Sequence, residues 1–83
     1  MKLELYYYAQ CPFCQRVLSA IKSAGVEKFI TLKNTLENKG NRDFHQRKTG
    51  RNTVPCLYID DTPMFESSDI INWVQKNAEK IKG

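Results

Sequence analysis

The chain has no long hydrophobic run, and none of its apolar stretches approaches the roughly 20 residues that span a bilayer. Its first residues, Met1 to Glu4, lead into an alternating pattern and not into the apolar core of a signal peptide. It has only three cysteines, an odd number too small for the disulfide framework of a secreted mini-protein. We therefore expect a cytoplasmic protein without a membrane partner.

The sequence also has no linker, internal repeat or low-complexity stretch, so its 83 residues are expected to form one domain over residues 1–83. Hydrophobic residues make up 41% and charged residues 27%, which is ordinary for a globular protein. A chain of this length can bury one modest core.

The net charge of +4 is not distributed as on a nucleic-acid-binding surface. The basic segment 33–51 lacks the aromatic interleaving of a single-strand binding surface. A solvated helix face is the simplest interpretation, and a positive field that attracts a small anionic substrate is the alternative. We expect no nucleic-acid partner. The cations of this segment are Lys33, Lys39, Arg42, Arg47, Lys48 and Arg51.

What the chain does contain is a pair of cysteines, Cys11 and Cys14, between an apolar run and a helical pattern. The i, i+3 spacing places both sulfurs on one face of the first helical turn, close enough to form a disulfide. Cys11 would be the helix N-cap, where free N–H groups and the helix dipole stabilise a thiolate. Pro12 fits the first helical position. Cys11 is therefore the predicted nucleophile, and Cys14 the resolving thiol covered by the helix.

Other residues have simpler interpretations. A zinc site is the alternative for the two cysteines, but Cys56 and His45 complete no second metal-binding motif, so no metal site is expected. Cys56 follows Pro55 and is interpreted as a small hydrophobe in a buried strand. His45 is expected on the surface of a polar helix, and Trp73 in the core.

Periodicity predicts an α/β protein with the element order βαβαββα. We expect a four-stranded mixed sheet, parallel in its first pair and antiparallel in its last, with helices on both faces. The strands are predicted at 3–8, 28–33, 56–59 and 63–65, and the helices at 12–24, at 36–48 and after a capping segment 66–69.

Three markers resemble the glutaredoxins of the thioredoxin-fold superfamily, and the resemblance covers essentially the whole chain. They are the Cys-Pro-Phe-Cys motif after a strand, the segment Gly50 to Pro55, and the cluster Glu66 to Asp69 before the last helix. The resemblance implies a thioredoxin/glutaredoxin fold. It also implies a cis Pro55 beside the dithiol, with Val54 offering its backbone to extended glutathione.

The resemblance further implies a glutathione-dependent thiol–disulfide oxidoreductase that reduces protein disulfides and glutathione mixed disulfides, in electron transport and cell redox homeostasis. Glutathione would be a co-substrate, and no tightly bound cofactor is expected. The expected partners are glutathione and disulfide-bearing or glutathionylated proteins, and the chain is expected to be a monomer.

The implied glutathione site has backbone N–H donors at the start of the last helix and a cation, one for each carboxylate of glutathione. Helix N–H groups suit the γ-glutamyl carboxylate, and Arg47 or Arg51 suits the glycine carboxylate. The expected glutathione-binding residues are Tyr8, Phe13, Arg47, Arg51, Thr53, Val54, Pro55, Ser67, Ser68 and Asp69.

Two positions depart from the family pattern. Tyr8 stands where many glutaredoxins have Lys or Arg, and Glu66-Ser67 replaces a Gly-Gly pair and is similar to the N-terminal domains of glutathione transferases. One alternative is a glutaredoxin-like electron donor reduced by thioredoxin reductase. Another is a glutathione-ligated iron–sulfur binding module, which Pro12 disfavours.

Overall fold

A computed structural model describes residues 1–83 and contains four strands and three α-helices in the order βαβαββα. This order confirms the predicted one. The elements are β1 (Leu3–Tyr7), α1 (Pro12–Ser23), β2 (Thr31–Asn34), α2 (Lys39–Thr49), β3 (Cys56–Ile59), β4 (Thr62–Met64) and α3 (Ser67–Lys82). No helix has the length and apolar character needed to cross a membrane.

The strands form one mixed sheet in the order β2-β1-β3-β4. Strand β1 runs parallel to β2 and antiparallel to β3, and β4 is antiparallel to β3. Leu5 at the centre of β1 is paired with Leu32 on one side and Leu57 on the other. The predicted mixed sheet is therefore confirmed.

The first face of the sheet carries an aliphatic core. Because side chains alternate along a strand, Leu5 of β1 and Leu57 of β3 point to the same face, where they meet α1 and α3. In both helices apolar residues recur every three or four positions, so that they form one stripe along the helix. The core consists of Leu3, Leu5, Val17, Ile21, Val26, Ile30, Leu57, Ile70 and Val74.

The second face carries aromatic and polar side chains beneath α2. We call this group, which consists of Tyr6, Phe44, His45, Tyr58 and Phe65, the aromatic cluster. Its neighbouring ring centroids lie 4.9 to 6.2 Å apart.

The inner side of α2 carries polar side chains as well as Phe44. Asn41 of α2 donates to the Asn34 carbonyl of β2 over 3.1 Å, and the His45 Nδ1 lies 2.7 Å from the Tyr58 hydroxyl of β3. Helix α2 is therefore attached to the sheet by hydrogen bonds as well as by ring contacts.

Two predicted boundaries are wrong. Strand β2 begins at Thr31 and not at residue 28, because Glu27–Phe29 form a 3-10 turn. Helix α2 begins three residues later than predicted, because the Asn38 side chain accepts the Asn41 N–H over 3.2 Å and caps the helix there. Its end is as predicted, since Gly50 adopts a φ of +79° at the C-cap.

The predicted capping of the last helix is also wrong in one respect. Helix α3 has Glu66 at its N-cap with a φ of +70°, and no side chain there makes a capping hydrogen bond. Ser67 is already the first helical residue. Trp73 of this helix packs against the aliphatic core but is only partly buried.

Candidate active site

The first half of the site is the start of α1. The Cys11 N–H donates to the Tyr8 carbonyl over 3.3 Å, which holds the turn after β1. Cys11 has an extended backbone and occupies the N-cap, and Pro12 begins the helix. The Cys11 Sγ accepts the Cys14 N–H over 3.3 Å. The Cys11 sulfur therefore lies beside a backbone donor and at the positive end of the helix dipole.

The second cysteine has a different environment. Cys14 is fully buried, whereas Cys11 keeps 5% of its surface exposed. Loss of solvent is the main cause that raises the pKa of Cys14 to about 12; a backbone hydrogen bond from Tyr8 opposes the shift, and a hydrogen bond with Cys11 adds to it. At neutral pH Cys14 is therefore a protonated thiol.

A groove of about 280 Å³ lies beside the start of α1. It is lined by Phe13 of α1, by the loop before β3 and by the start of α3, and the Val54–Pro55 peptide bond in that loop is cis. The Phe13 ring is 57% exposed and forms one edge. The lining residues are Phe13, Thr53, Val54, Pro55, Glu66 and Ser67. Five of them belong to the set expected from the sequence, and Glu66 is an addition.

Three other expected residues lie elsewhere. Arg47 lies in a separate hollow with Asp43, one helical turn earlier on the outward side of α2. Asp69 lines a hollow with Trp73 on α3, and Ser68 is exposed without lining the groove. Successive helical residues point in different directions, so three neighbours at a helix start do not share one groove.

The last two expected residues, Arg51 and Tyr8, lie at a cation–π contact and at a second cavity, respectively. The Arg51 guanidinium lies 3.8 Å from the centre of the Phe65 ring, which is a cation–π contact. Tyr8 lines a second cavity of about 240 Å³, together with Thr35, Leu36, Arg42, His45 and Asn52. Sequence reasoning missed Arg42 as a site residue, although it lies one turn before His45 and so shares its side of α2.

His45 contradicts the prediction of a surface residue, because it is completely buried. Its Nδ1 lies 2.7 Å from the Tyr58 hydroxyl, and its Nε2 lies 2.7 Å from the Thr53 carbonyl oxygen. Tyr58 is itself buried, and loss of solvent is the main cause that raises its pKa. The Tyr58 hydroxyl therefore stays protonated at neutral pH.

Cys56 is fully buried, as predicted for a strand residue. Burial raises the pKa of its thiol to about 12, against the smaller opposing effects of a hydrogen bond with the Met64 backbone and the charge of Arg51. No three His, Cys, Asp or Glu side chains converge to form a metal site.

Residues 5–81 match the family model of the glutathione S-transferase N-terminal domain. Among curated proteins, the chain is 33% identical over 69 residues to a probable glutaredoxin from Synechocystis, an alignment that covers 83% of this chain and 77% of the relative.

Two solved structures show the same fold. The trimeric glutathione transferase TDR1 of Leishmania superposes with a TM-score of 0.73 at 28% identity, over 93% of this chain but only 17% of the transferase. The solution structure of a glutaredoxin from Brucella melitensis superposes with a TM-score of 0.65 at 20% identity, over 99% of this chain and 86% of that protein. The chain thus spans a small part of the transferase and most of the glutaredoxin.

Proposed function

The chain belongs to the glutaredoxin family of thiol oxidoreductases, and from this membership we propose that it is a glutathione-dependent thiol–disulfide oxidoreductase. It would reduce protein disulfides and mixed disulfides with glutathione, and glutathione would be its co-substrate. Cys11 would be the nucleophile and Cys14 the resolving thiol.

The observation that carries this proposal is the difference between the two thiols. Cys11 accepts a backbone N–H at the helix N-terminus, whereas Cys14 is buried with its pKa raised to about 12, chiefly by loss of solvent. One sulfur thus lies beside a backbone donor at the helix start, and the other is a protonated thiol. A nucleophile next to a protonated resolving thiol suits stepwise disulfide exchange.

In the first step the Cys11 thiolate attacks one sulfur of the substrate disulfide. The substrate S–S bond breaks, a bond from Cys11 to the attacked sulfur forms, and the departing thiolate takes a proton. The resulting mixed disulfide has two fates. Glutathione attacks it directly, or Cys14 loses its proton and displaces the substrate, which leaves a Cys11–Cys14 disulfide. Two glutathione molecules then reduce this Cys11–Cys14 disulfide and leave as oxidised glutathione; on the direct route, a Cys11 mixed disulfide with glutathione needs only one further glutathione to give the same product.

The groove supports glutathione as the reductant. An extended tripeptide could pair its cysteine backbone with Val54, as in addition of a strand residue. Its γ-glutamyl carboxylate would face the N–H groups at the start of α3, near Ser67. For the glycine carboxylate, Arg51 at Phe65 and Arg42 beside Tyr8 are the candidate cations.

Cysteine replacements test the proposal directly. Cys11→Ser should abolish glutathione-dependent reduction of a glutathionylated peptide, because the other two thiols are fully buried and protonated. Cys14→Ser should retain that reaction but lose most reduction of a protein disulfide. Cys56→Ser is the matched control and should retain both, since Cys56 is not part of the dithiol. Persistent activity in the Cys11 variant, measured by release of oxidised glutathione, would overturn the mechanism.

A second candidate is a glutaredoxin-like electron donor reduced by thioredoxin reductase. It is favoured by Tyr8, which has no charge where a cation would attract a carboxylate of glutathione. The two candidates differ in what reduces the oxidised protein. Reduction by NADPH with thioredoxin reductase, but not by millimolar glutathione, would favour this second function.

A further inference from the structure

We propose that His45 is a positioning residue for the glutathione groove, which it holds by a single hydrogen bond to the Thr53 carbonyl. This inference rests on the proposed function, because it concerns the same groove. His45 does not line this groove and is not a catalytic residue.

The loop that forms one wall of the groove has few bonds to the rest of the molecule. Outside the helices and strands, no backbone–backbone hydrogen bond involves residues 52–55. The one side-chain hydrogen bond to these residues joins the His45 Nε2 to the Thr53 oxygen over 2.7 Å. The loop geometry at Thr53 and Val54, both of which line the groove, thus depends on this contact.

The chemistry of the partners fixes the direction of each bond. A carbonyl oxygen only accepts, so the His45 Nε2 must carry a proton and donate to Thr53. In the neutral imidazole the Nδ1 then has no proton and accepts from the Tyr58 hydroxyl. Tyr58 in turn lies in the sheet, opposite Glu4 of β1 and Pro63 of β4. A continuous chain of contacts therefore runs from the sheet through Tyr58 and His45 to the groove.

Burial makes this arrangement specific. His45 has no exposed surface, and its ring lies 5.3 Å from the ring of Tyr6 and 5.9 Å from that of Phe65. A buried polar ring between aromatic side chains is costly unless both nitrogens are bonded, and here both are. The ring therefore has one stable orientation, which sets the position of the Thr53 oxygen.

A pair of amide substitutions separates the two bonds. The amide nitrogen of Gln can occupy the place of Nε2 and donate to Thr53, whereas the amide oxygen of Asn can occupy the place of Nδ1 and accept from Tyr58. His45→Gln should therefore keep the bond to Thr53, whereas His45→Asn should keep only a partner for Tyr58. We expect His45→Asn to raise the KM for glutathione about five- to tenfold, the loss expected from one hydrogen bond. His45→Gln should rescue most of that change.

The measurement must distinguish positioning from loss of stability. The kcat and the rate of alkylation of Cys11 should change less than twofold in both variants, since neither substitution touches α1. The amide chemical shifts of Thr53 and Val54 without ligand should move in His45→Asn and stay close to wild type in His45→Gln. Phe44→Leu is the matched control in the aromatic cluster, because Phe44 contacts Tyr6 and Tyr58 but has no side-chain group that could hydrogen-bond to Thr53, and it should leave the KM unchanged.

Equal KM values for His45→Asn and wild type would overturn the inference, as would equal losses in the Asn and Gln variants. If His45→Asn does not fold, Tyr58→Phe keeps the imidazole but releases its Nδ1, and it should raise the KM about threefold; an unchanged KM would again overturn the inference. Failure of the proposed function looks different. The wild-type protein would then show no saturation by glutathione, while the Val54 amide shifts would still differ between the Asn and Gln variants.

Discussion

The two faces of the sheet are built from different chemistry although they share the same strands. On one face, Leu5 and Leu57 pack with α1 and α3 in an aliphatic core. On the other, Tyr6 and Tyr58 from the same strands meet His45 of α2 in the aromatic cluster. The aliphatic core has no hydrogen bonds between its side chains, whereas on the second face His45 is hydrogen-bonded to Tyr58.

The difference indicates a division of roles. Burial of aliphatic side chains is strongly stabilising but tolerates small shifts in side-chain position. Hydrogen bonds contribute less free energy but fix positions within a few tenths of an ångström. The proposed groove and the Tyr8 cavity include residues of the second face or of the loop bonded to it, such as His45 and Thr53. We infer that the aliphatic face provides most of the folding stability, and that the aromatic face fixes the positions of the residues that form the groove and the Tyr8 cavity.

The largest expected effect tests whether the aliphatic face contributes more to folding stability than the aromatic face. Leu5→Ala removes a fully buried side chain from the centre of the aliphatic core and should lower the free energy of unfolding by about 2–5 kcal/mol. Phe44→Ala in the aromatic cluster should cost only about 1 kcal/mol, because Phe44 is 38% exposed. Urea unfolding followed by circular dichroism measures both. Equal losses would contradict the proposed division of roles.

A smaller effect compares one buried thiol from each region, Cys14 of α1 and Cys56 of the second face. Burial raises the pKa of each to about 12, above the ordinary value near 8.5 that it regains on unfolding. The unfolded chain therefore loses these protons first, so stability is full below about pH 8.5 and falls as the pH rises towards 12. The slope is at most about 1.4 kcal/mol per pH unit for each thiol.

Cys14→Ser and Cys56→Ser should each flatten this alkaline decrease, measured by urea unfolding with a reductant present between pH 7 and 10. The double variant should flatten it further. Burial of the tyrosines raises the pKa of Tyr6 and Tyr58 as well, so a residual decrease above pH 10 is expected. An unchanged slope in both single variants would show that the thiols are not desolvated as the structure indicates.

The smallest expected effect comes from a comparison of two arginines on opposite sides of α2. Arg42 lines the cavity with Tyr8 and His45, whereas Arg47 faces a hollow on the outward side of the helix. If a ligand carboxylate is bound on the inner side, Arg42→Ala should raise the KM for glutathione about two- to fivefold, as expected for an exposed ion pair. Arg47→Ala should change it less, and the difference should shrink at high salt. A larger effect from Arg47 would reverse this assignment.

Much of the fold could be predicted because its signals are local. The spacing from Cys14 through Val17 to Ile21 predicts α1, and this stripe is buried. Gly50 marks the end of α2 because a left-handed residue there needs no side chain. The start of α2 could not be predicted as well, because its cap uses the Asn38 side chain and the helix has no strong apolar stripe.

The grouping of the candidate site residues in space was predicted in part. Phe13, Val54 and Ser67 lie in one groove, as the resemblance implied, but Arg47 and Asp69 do not. The direction in which a polar side chain points is set by which side of its helix is covered, and the sequence of a polar helix carries little information on that.

The sequence by itself determined the order of the elements and the dithiol at the start of α1, because helix periodicity, caps and turns act over a few residues. Only the tertiary structure decided that His45 is buried between Tyr58 and Thr53, and that Arg42 rather than Arg47 lies beside Tyr8. These contacts join α2 to β3 and to the loop before it. The residues that make these contacts become neighbours only after the sheet has formed, so a local sequence pattern cannot predict them.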